Sequence, residues 1–196
     1  MEVKVKTEDG KEQTIKADRD DGVRATTAES LAKLKPAFDP KNGTTTAGNA
    51  SQVTDGAAAV LFARRSIAKK LGLPILGRMH GFATAGVPPH IMGVGPAFAI
   101  PEVLKRTGLK IADIDIFEIN EAFASQALFS IKKLGIDEAK VNPRGGAIAF
   151  GHPLGATGAR QIVTLFSELK KTGKRYGVTS MCIGTGMGAA AVFERE

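Results

Sequence analysis

Residues 74 to 196 predict a layered α/β domain built on a mixed sheet. Strand-like and helix-like stretches alternate there with short connections, the pattern of right-handed crossovers in a layered α/β arrangement. The last two strand-like stretches, Tyr176 to Ile183 and Ala189 to Glu194, are joined only by Gly184-Thr-Gly-Met-Gly188. That link is too short for a crossover, so these two must pair antiparallel. Glycine-rich loops follow several of the strand-like stretches, at the ends where α/β folds carry their sites.

Each element has its own signal. Val3 and Val5 alternate with lysines, Glu8-Asp9-Gly10 turns, and Thr14 to Ala17 resumes, which predicts an exposed hairpin. Asp18 to Arg24 reads as a polar loop. Thr27 is set as an N-cap before a short helix that Pro36 stops. Ala57 to Phe62 is a short apolar run expected as a buried strand, and Ser66 to Leu71 a short helix stopped by Gly72. Further on, strands are expected over Ile75 to Phe82, Ile114 to Ile119 and within Val141 to Phe150. With the last two they make five. Between them fall a loop from Gly86 to Pro96 and helices over Ala97 to Thr107, Glu121 to Leu134, and from Gly158 to Gly173.

Composition narrows the function. The chain has 196 residues, 43% hydrophobic and 24% charged, as an ordinary globular protein has. Its formal net charge of +7 favours anionic partners only in a general way, because the lysine pairs are scattered among acids. With no Trp and one Tyr there is no stacking platform for nucleic acid. A single cysteine, Cys182, excludes an internal disulfide, and one Cys with three His gives no metal-ligand spacing. No apolar run approaches the length of a membrane span. Neither end carries a signal-peptide core or a peroxisomal tripeptide.

Three loops hold the residues that could do chemistry. Asn120 stands at a strand-to-helix junction, where a helix cap is the default role. His152 sits in Asn142 to Arg160, where five glycines and two prolines build a stiff loop feeding a helix. Cys182 ends a strand and enters a glycine loop. A lone Cys there is ordinarily a small core residue, but glycines beside it expose N–H groups able to hold an oxyanion. A histidine next to a cysteine lowers the thiol's pKa and supplies a base. His80 and His90 read as structural.

These stretches resemble the thiolase family. Asn142 to Arg160 matches the family's Gly-His-Pro loop at every fixed position. Asn120 to Ala124 matches its Asn-Glu-Ala-Phe block, and Gly177 to Ala190 its C-terminal cysteine motif. The wording is nearest the peroxisomal 3-ketoacyl-CoA branch. The resemblance implies a thiolase-like layered α/β domain with a mixed five-stranded sheet. It divides the chain into the tail of a loop domain (1–43), the last strand and helix of an N-terminal domain (44–72), and a C-terminal domain (73–196).

It further implies an acyl-CoA C-acyltransferase that cleaves a 3-ketoacyl-CoA with coenzyme A as co-substrate, in fatty-acid β-oxidation, with no permanently bound cofactor. His152 would activate a nucleophilic cysteine and help form an oxyanion hole for the thioester enolate, in which Asn120 would hold a water. Cys182 would be the acid/base, and the Gly184 N–H would belong to a second oxyanion hole. Ser51 would touch the pantetheine arm and Arg24 the CoA nucleotide. Met92, Gly93, Gly95 and Pro96 resemble a loop near the acyl pocket. A homodimer in the peroxisome is the expected setting. One departure is large. The family's nucleophilic cysteine, in a Cys-Ser-Ser-Gly-like context, is not among these residues. The alternative is therefore a catalytically incomplete remnant or isoform that binds CoA esters or a full-length thiolase. A ketosynthase-like condensing enzyme is disfavoured, because those enzymes carry His or Asn where Cys182 stands.

Overall fold

The computed structural model describes residues 1–18 and 22–196. Arg19, Asp20 and Asp21, in the expected polar loop, lie outside the described residues. The charged N-terminus forms the expected hairpin, β1 (Glu2–Lys6) against β2 (Glu12–Lys16), turning at Gly10. Helix α1 (Ala28–Ala32) starts on Thr27, whose side chain accepts from Ser30 N–H. Helix α2 (Arg65–Lys70) stops before Gly72, which adopts φ +63°.

The core is a mixed four-stranded sheet ordered β3 (Gly77–Gly86), β6 (Met187–Arg195), β5 (Tyr176–Ile183), β4 (Ile116–Ile119). β5 and β6 pair antiparallel, as the short glycine link requires, and β4 and β5 pair parallel. Helices α3 (Pro96–Thr107) and α4 (Ala124–Leu134) cover one face. Ile100, Val103 and Ile131 meet Phe117, Ile119, Val178 and Val192 there. Helix α6 (Thr157–Thr172) covers the other, where Leu165 and Leu169 pack on Ile116 and Phe193. Alternate residues of β4 thus feed opposite layers, as the period of a strand dictates. Each large side chain buried this way contributes roughly 1.5–3 kcal/mol. The three helices end on Gly108, Gly135 and Gly173, all left-handed.

Two strand expectations are corrected. The stretch after Val141 makes only a single parallel bridge to Phe117 and then a one-turn helix, α5 (Ala147–Phe150), so the sheet has four strands among the described residues, not five. A four-residue apolar run cannot be told from a buried helical turn by period alone. Here Gly146 begins the turn, and the Glu121 carboxylate accepts from the Ile148 N–H at 3.3 Å. The run Ala57 to Phe62 is neither a strand nor buried. It lies in an irregular segment with Leu61 82% and Phe62 59% exposed. A strand needs a partner ladder, and nothing among the described residues offers one.

Candidate active site

β4 and β5 end side by side. Ile119 pairs with Ser180, and the Asn120 N–H donates to Ser180 O at 2.9 Å. From this shared edge β4 passes into the loop Asn120 to Phe123, while β5 runs on to Cys182. Asn120 does not cap α4; Phe123 occupies that position and makes no side-chain cap bond. Asn120 is instead fully buried, and its carbonyl accepts from Gln126 Nε2 at 2.8 Å. That contact turns its side chain toward the His152 loop.

There Asn120 Nδ2 lies 3.3 Å from His152 Nε2. On the far side of the ring, Nδ1 is 2.7 Å from Thr157 Oγ1, and that hydroxyl donates to Pro153 O at 3.1 Å. With its proton so committed, Thr157 accepts from Nδ1–H. Nε2 is then left without a proton and accepts from Asn120. Gly151, at φ +90°, turns the chain into His152. The His152 N–H donates to Gln52 O at 2.7 Å. Burial pushes the imidazole pKa below its usual value, and the nearby Arg160 guanidinium pushes in the same direction. His152 is therefore a neutral base at pH 7.

Residues 50 to 52 form a strap between the two loops. Ala50 bridges Phe123, and both the N–H and Oγ of Ser51 donate to Ala122 O, at 3.0 and 3.1 Å. Ser51 is thereby tied to the Asn120 loop, one residue from the Gln52 carbonyl that holds His152. Arg24 is not brought to the pair. Its guanidinium donates to Ala47 O at 3.2 Å and lines a separate open cavity of about 440 Å³ with Gly48, Glu121, Gly146 and Ala149.

Cys182 occupies the same edge, two residues beyond Ser180 on β5 and paired with Gly188. It is half-buried, and its thiol makes no hydrogen bond to Asn120 or His152 among the described residues. Burial pushes its pKa upward, opposite to the lowering expected of a thiol beside a histidine. A thiol held protonated at neutral pH suits proton donation better than nucleophilic attack. Gly184 follows in an exposed turn with open space where a Cβ would stand. The turn also holds Thr185 at φ +66° and Gly186 at φ +113°.

Sequence reasoning missed the supports. Thr157, Gln52 and Gln126 orient the pair through ordinary polar side chains and backbone carbonyls, and no spacing rule singles such groups out. Asn142 was visible only as a motif position. It sits at φ +45° and closes the open side of β4. Its Oδ1 accepts from Ile119 N–H at 2.9 Å, and its Nδ2 donates to Ile119 O at 2.8 Å. The side-chain amide thus replaces a fifth strand at that position.

Comparison with known proteins gives a consistent picture. Residues 73–195 match the model for "Thiolase, C-terminal domain", and residues 1–66 that for "Thiolase, N-terminal domain". The chain is 68% identical to rat peroxisomal 3-ketoacyl-CoA thiolase B over 94% of its length, covering 44% of that protein. It is 65% identical to human peroxisomal 3-ketoacyl-CoA thiolase, again over 94% of this chain and 44% of the relative. The crystal structure of the dimeric peroxisomal thiolase of Saccharomyces cerevisiae superposes with a TM-score of 0.87 at 62% identity, over 99% of this chain and 48% of that one. Human mitochondrial 3-ketoacyl-CoA thiolase in complex with CoA superposes with a TM-score of 0.84 at 42% identity, over 98% of this chain and 48% of that one. The chain spans about half the length of the relatives it matches.

Proposed function

The chain belongs to the thiolase family, and from that premise we propose that it carries the acid/base and enolate-binding half of an acyl-CoA C-acyltransferase. The substrate class is a 3-ketoacyl-CoA, with coenzyme A as the second substrate and acetyl-CoA and a shortened acyl-CoA as products. The observation that carries the reading is the Asn120–His152 contact at the shared end of β4 and β5, beside Cys182.

The chemistry follows from the protonation states. The His152 Nε2 lone pair takes the proton of an attacking cysteine thiol, and the thiolate adds to the 3-keto carbon. When the C2–C3 bond breaks, the electron pair passes into an acetyl-CoA enolate. The new Nε2–H and a water held by Asn120 then face the enolate oxygen, with both residues fixed in advance by Thr157 and Gln126. Such preorganised donors are worth roughly 2.7–4 kcal/mol each in acyl transfer. Cys182, kept protonated by burial, gives its proton to C2 and releases acetyl-CoA. As a thiolate it then takes the proton from the CoA thiol, whose sulfur attacks the acyl thioester and frees the shortened acyl-CoA, while the attacking cysteine leaves as a thiolate and recovers its proton from His152 Nε2–H. Gly184 N–H stabilises the tetrahedral oxyanion of the acyl-transfer steps, and Ser51 receives the pantetheine arm. Arg24, remote from the pair, reaches the CoA nucleotide along the open cavity.

The attacking sulfur comes from outside these 196 residues, because the only cysteine is Cys182. We further propose that residues 1–43 belong to a loop domain, 44–72 to an N-terminal core domain and 73–196 to a C-terminal core domain. The bare run Ala57 to Phe62 would then be a strand of the N-terminal sheet. Dimerisation and a peroxisomal setting follow the relatives named above.

Acetoacetyl-CoA thiolysis tests the proposal. The 196-residue chain alone is expected to give no CoA-dependent cleavage. Joined to the missing half of a relative, with that half's Cys-Ser-Ser-Gly-like cysteine, it is expected to turn over. Substituting Cys182→Ala in the joined protein should lower kcat by about 10²-fold or more. Robust cleavage by the chain alone, or full activity after C182A, refutes the assignment.

A further inference from the structure

Glu118 is fully buried on β4, two residues before Asn120 and on the same face of the strand. A carboxylate taken out of water is strongly disfavoured unless paired. Its partner is Arg160 of α6, whose Nη1 donates to Glu118 Oε2 at 3.1 Å. Three residues earlier on the same helix, Thr157 holds His152 Nδ1. One residue later, Gln161 Nε2 donates to Glu118 O at 2.9 Å and to Ser180 O at 3.2 Å, stitching β4 to β5. One turn of α6 therefore grips the imidazole, the buried carboxylate and both strand ends at once.

We propose that Glu118 is a positioning residue: by pairing with Arg160 it docks the first turns of α6 on β4, which sets the Asn120–His152 distance. The proposal rests on reading that pair as the enolate site. The charged groups facing Glu118 are Arg160 and Glu168 from α6 and Glu121 just past the end of β4. Glu168 is itself held by Arg144 Nε at 2.6 Å, and Glu121 by Asn142 Nδ2 at 2.6 Å. Arg160 is thus the cation that pairs directly with Glu118. Oε1 of Glu118 has no hydrogen-bond partner among the described residues, so the pair has one strong contact to lose. Burial pulls the Glu118 carboxyl up to about 7 against the pull of Arg160, which makes this charge sensitive to small changes around it.

The test is the tautomer of the His152 ring, read by ¹⁵N NMR in the 196-residue chain with the ring neutral and Glu118 ionised, and assigned against His152→Gln. With Thr157 holding the Nδ1 side, the parent chain is expected in the Nδ1–H form. Glu118→Gln and Arg160→Gln each remove the charge pair that docks α6, and both are expected to shift the ring toward the Nε2–H form that a free neutral imidazole favours. Full retention of the Nδ1–H form in both variants overturns the proposal, and should E118Q not fold, R160Q decides by the same criterion. In the joined, active protein E118Q should lower kcat while leaving KM for CoA nearly unchanged. Loss of the Nδ1–H form with unaltered turnover would keep the positioning role and reject the enolate-site reading instead.

Discussion

Asn142 sits where a neighbouring strand would otherwise be. It satisfies both backbone groups of Ile119 and adds a bond to Glu121, all from a left-handed backbone that asparagine tolerates better than most residues. Asn142→Ala strips these bonds and leaves buried peptide groups unpaired, so it is expected to cost roughly 2–4 kcal/mol in urea unfolding. Asn142→Asp keeps the acceptor but sets a carboxylate oxygen against Ile119 O and the Glu121 carboxylate, and should cost at least as much as the alanine. The site residues make pH predictions of opposite sign. His152 has a folded pKa below its unfolded value near 6.5, so its neutral form is favoured by folding. Stability is therefore lost as pH falls below 6.5, and His152→Gln should flatten that part of the stability profile. Cys182 has a folded pKa above 9.0, so its contribution is present below 9.0 and is lost as pH rises beyond it. Iodoacetamide should accordingly label Cys182 slowly at pH 7.5, with a midpoint of labelling rate above pH 9.

At the scale of elements, two contacts fix how the layers meet. Helix α3 opens on Gly95, which lies backbone to backbone against Gly188 at the start of β6. A Cβ on Gly95 would stand 2.6 Å from Gly188 Cα and from Met187 O. Neither neighbour is a movable side chain, so Gly95→Ala must shift the helix and should destabilise by about 1–3 kcal/mol. Across the other end of the sheet, Glu194 on β6 gathers Arg78 from β3 at 2.6 Å, Arg175 ahead of β5 at 2.8 Å and His80 at 3.5 Å. The arginines hold its carboxyl down to about 2, Arg175 foremost. This folded value lies below the unfolded one, so the stabilisation is complete above pH 4.5 and disappears as pH falls toward 2. Both guanidinium groups are more than half exposed, which lets water screen the pairs. Glu194→Gln is thus expected to cost only about 1–2 kcal/mol at pH 7 and to reduce the acid sensitivity of the melting temperature.

For the molecule as a whole, strands β4, β5 and β6 are well enclosed, while residues 53 to 62 are not. Val53, Leu61 and Phe62 are 88%, 82% and 59% exposed. This segment combines an apolar run with backbone groups that have no ladder, the composition that pairs with whatever edge it meets. Amide exchange of the 196-residue chain is expected to be fast across 57 to 62 and slow in β5 and β6. Leu61→Lys should reduce self-association in sedimentation without lowering the melting temperature, because no packed contact is lost. If those amides are protected in the monomeric chain, the run has a partner within this chain and the assignment of residues 44–72 to a second core domain fails.

Much of the architecture is written locally. Glycines behind α3, α4 and α6, the capping Thr27 and the short glycine link between β5 and β6 each act within a few residues, so the sequence alone settled where those three helices stop and the antiparallel pair. The motif around His152, with the blocks at Asn120 and Cys182, likewise named the family and pointed to one edge of the sheet. What only the tertiary structure decided are the relations between distant segments. Asn120 turns from helix cap to histidine partner because Gln126 and Ser180 hold its backbone. The run after Val141 is no strand because Asn142 closes the sheet with a side chain. Burial sets the direction of each site pKa, and burial is a property of the packed molecule rather than of any stretch of chain.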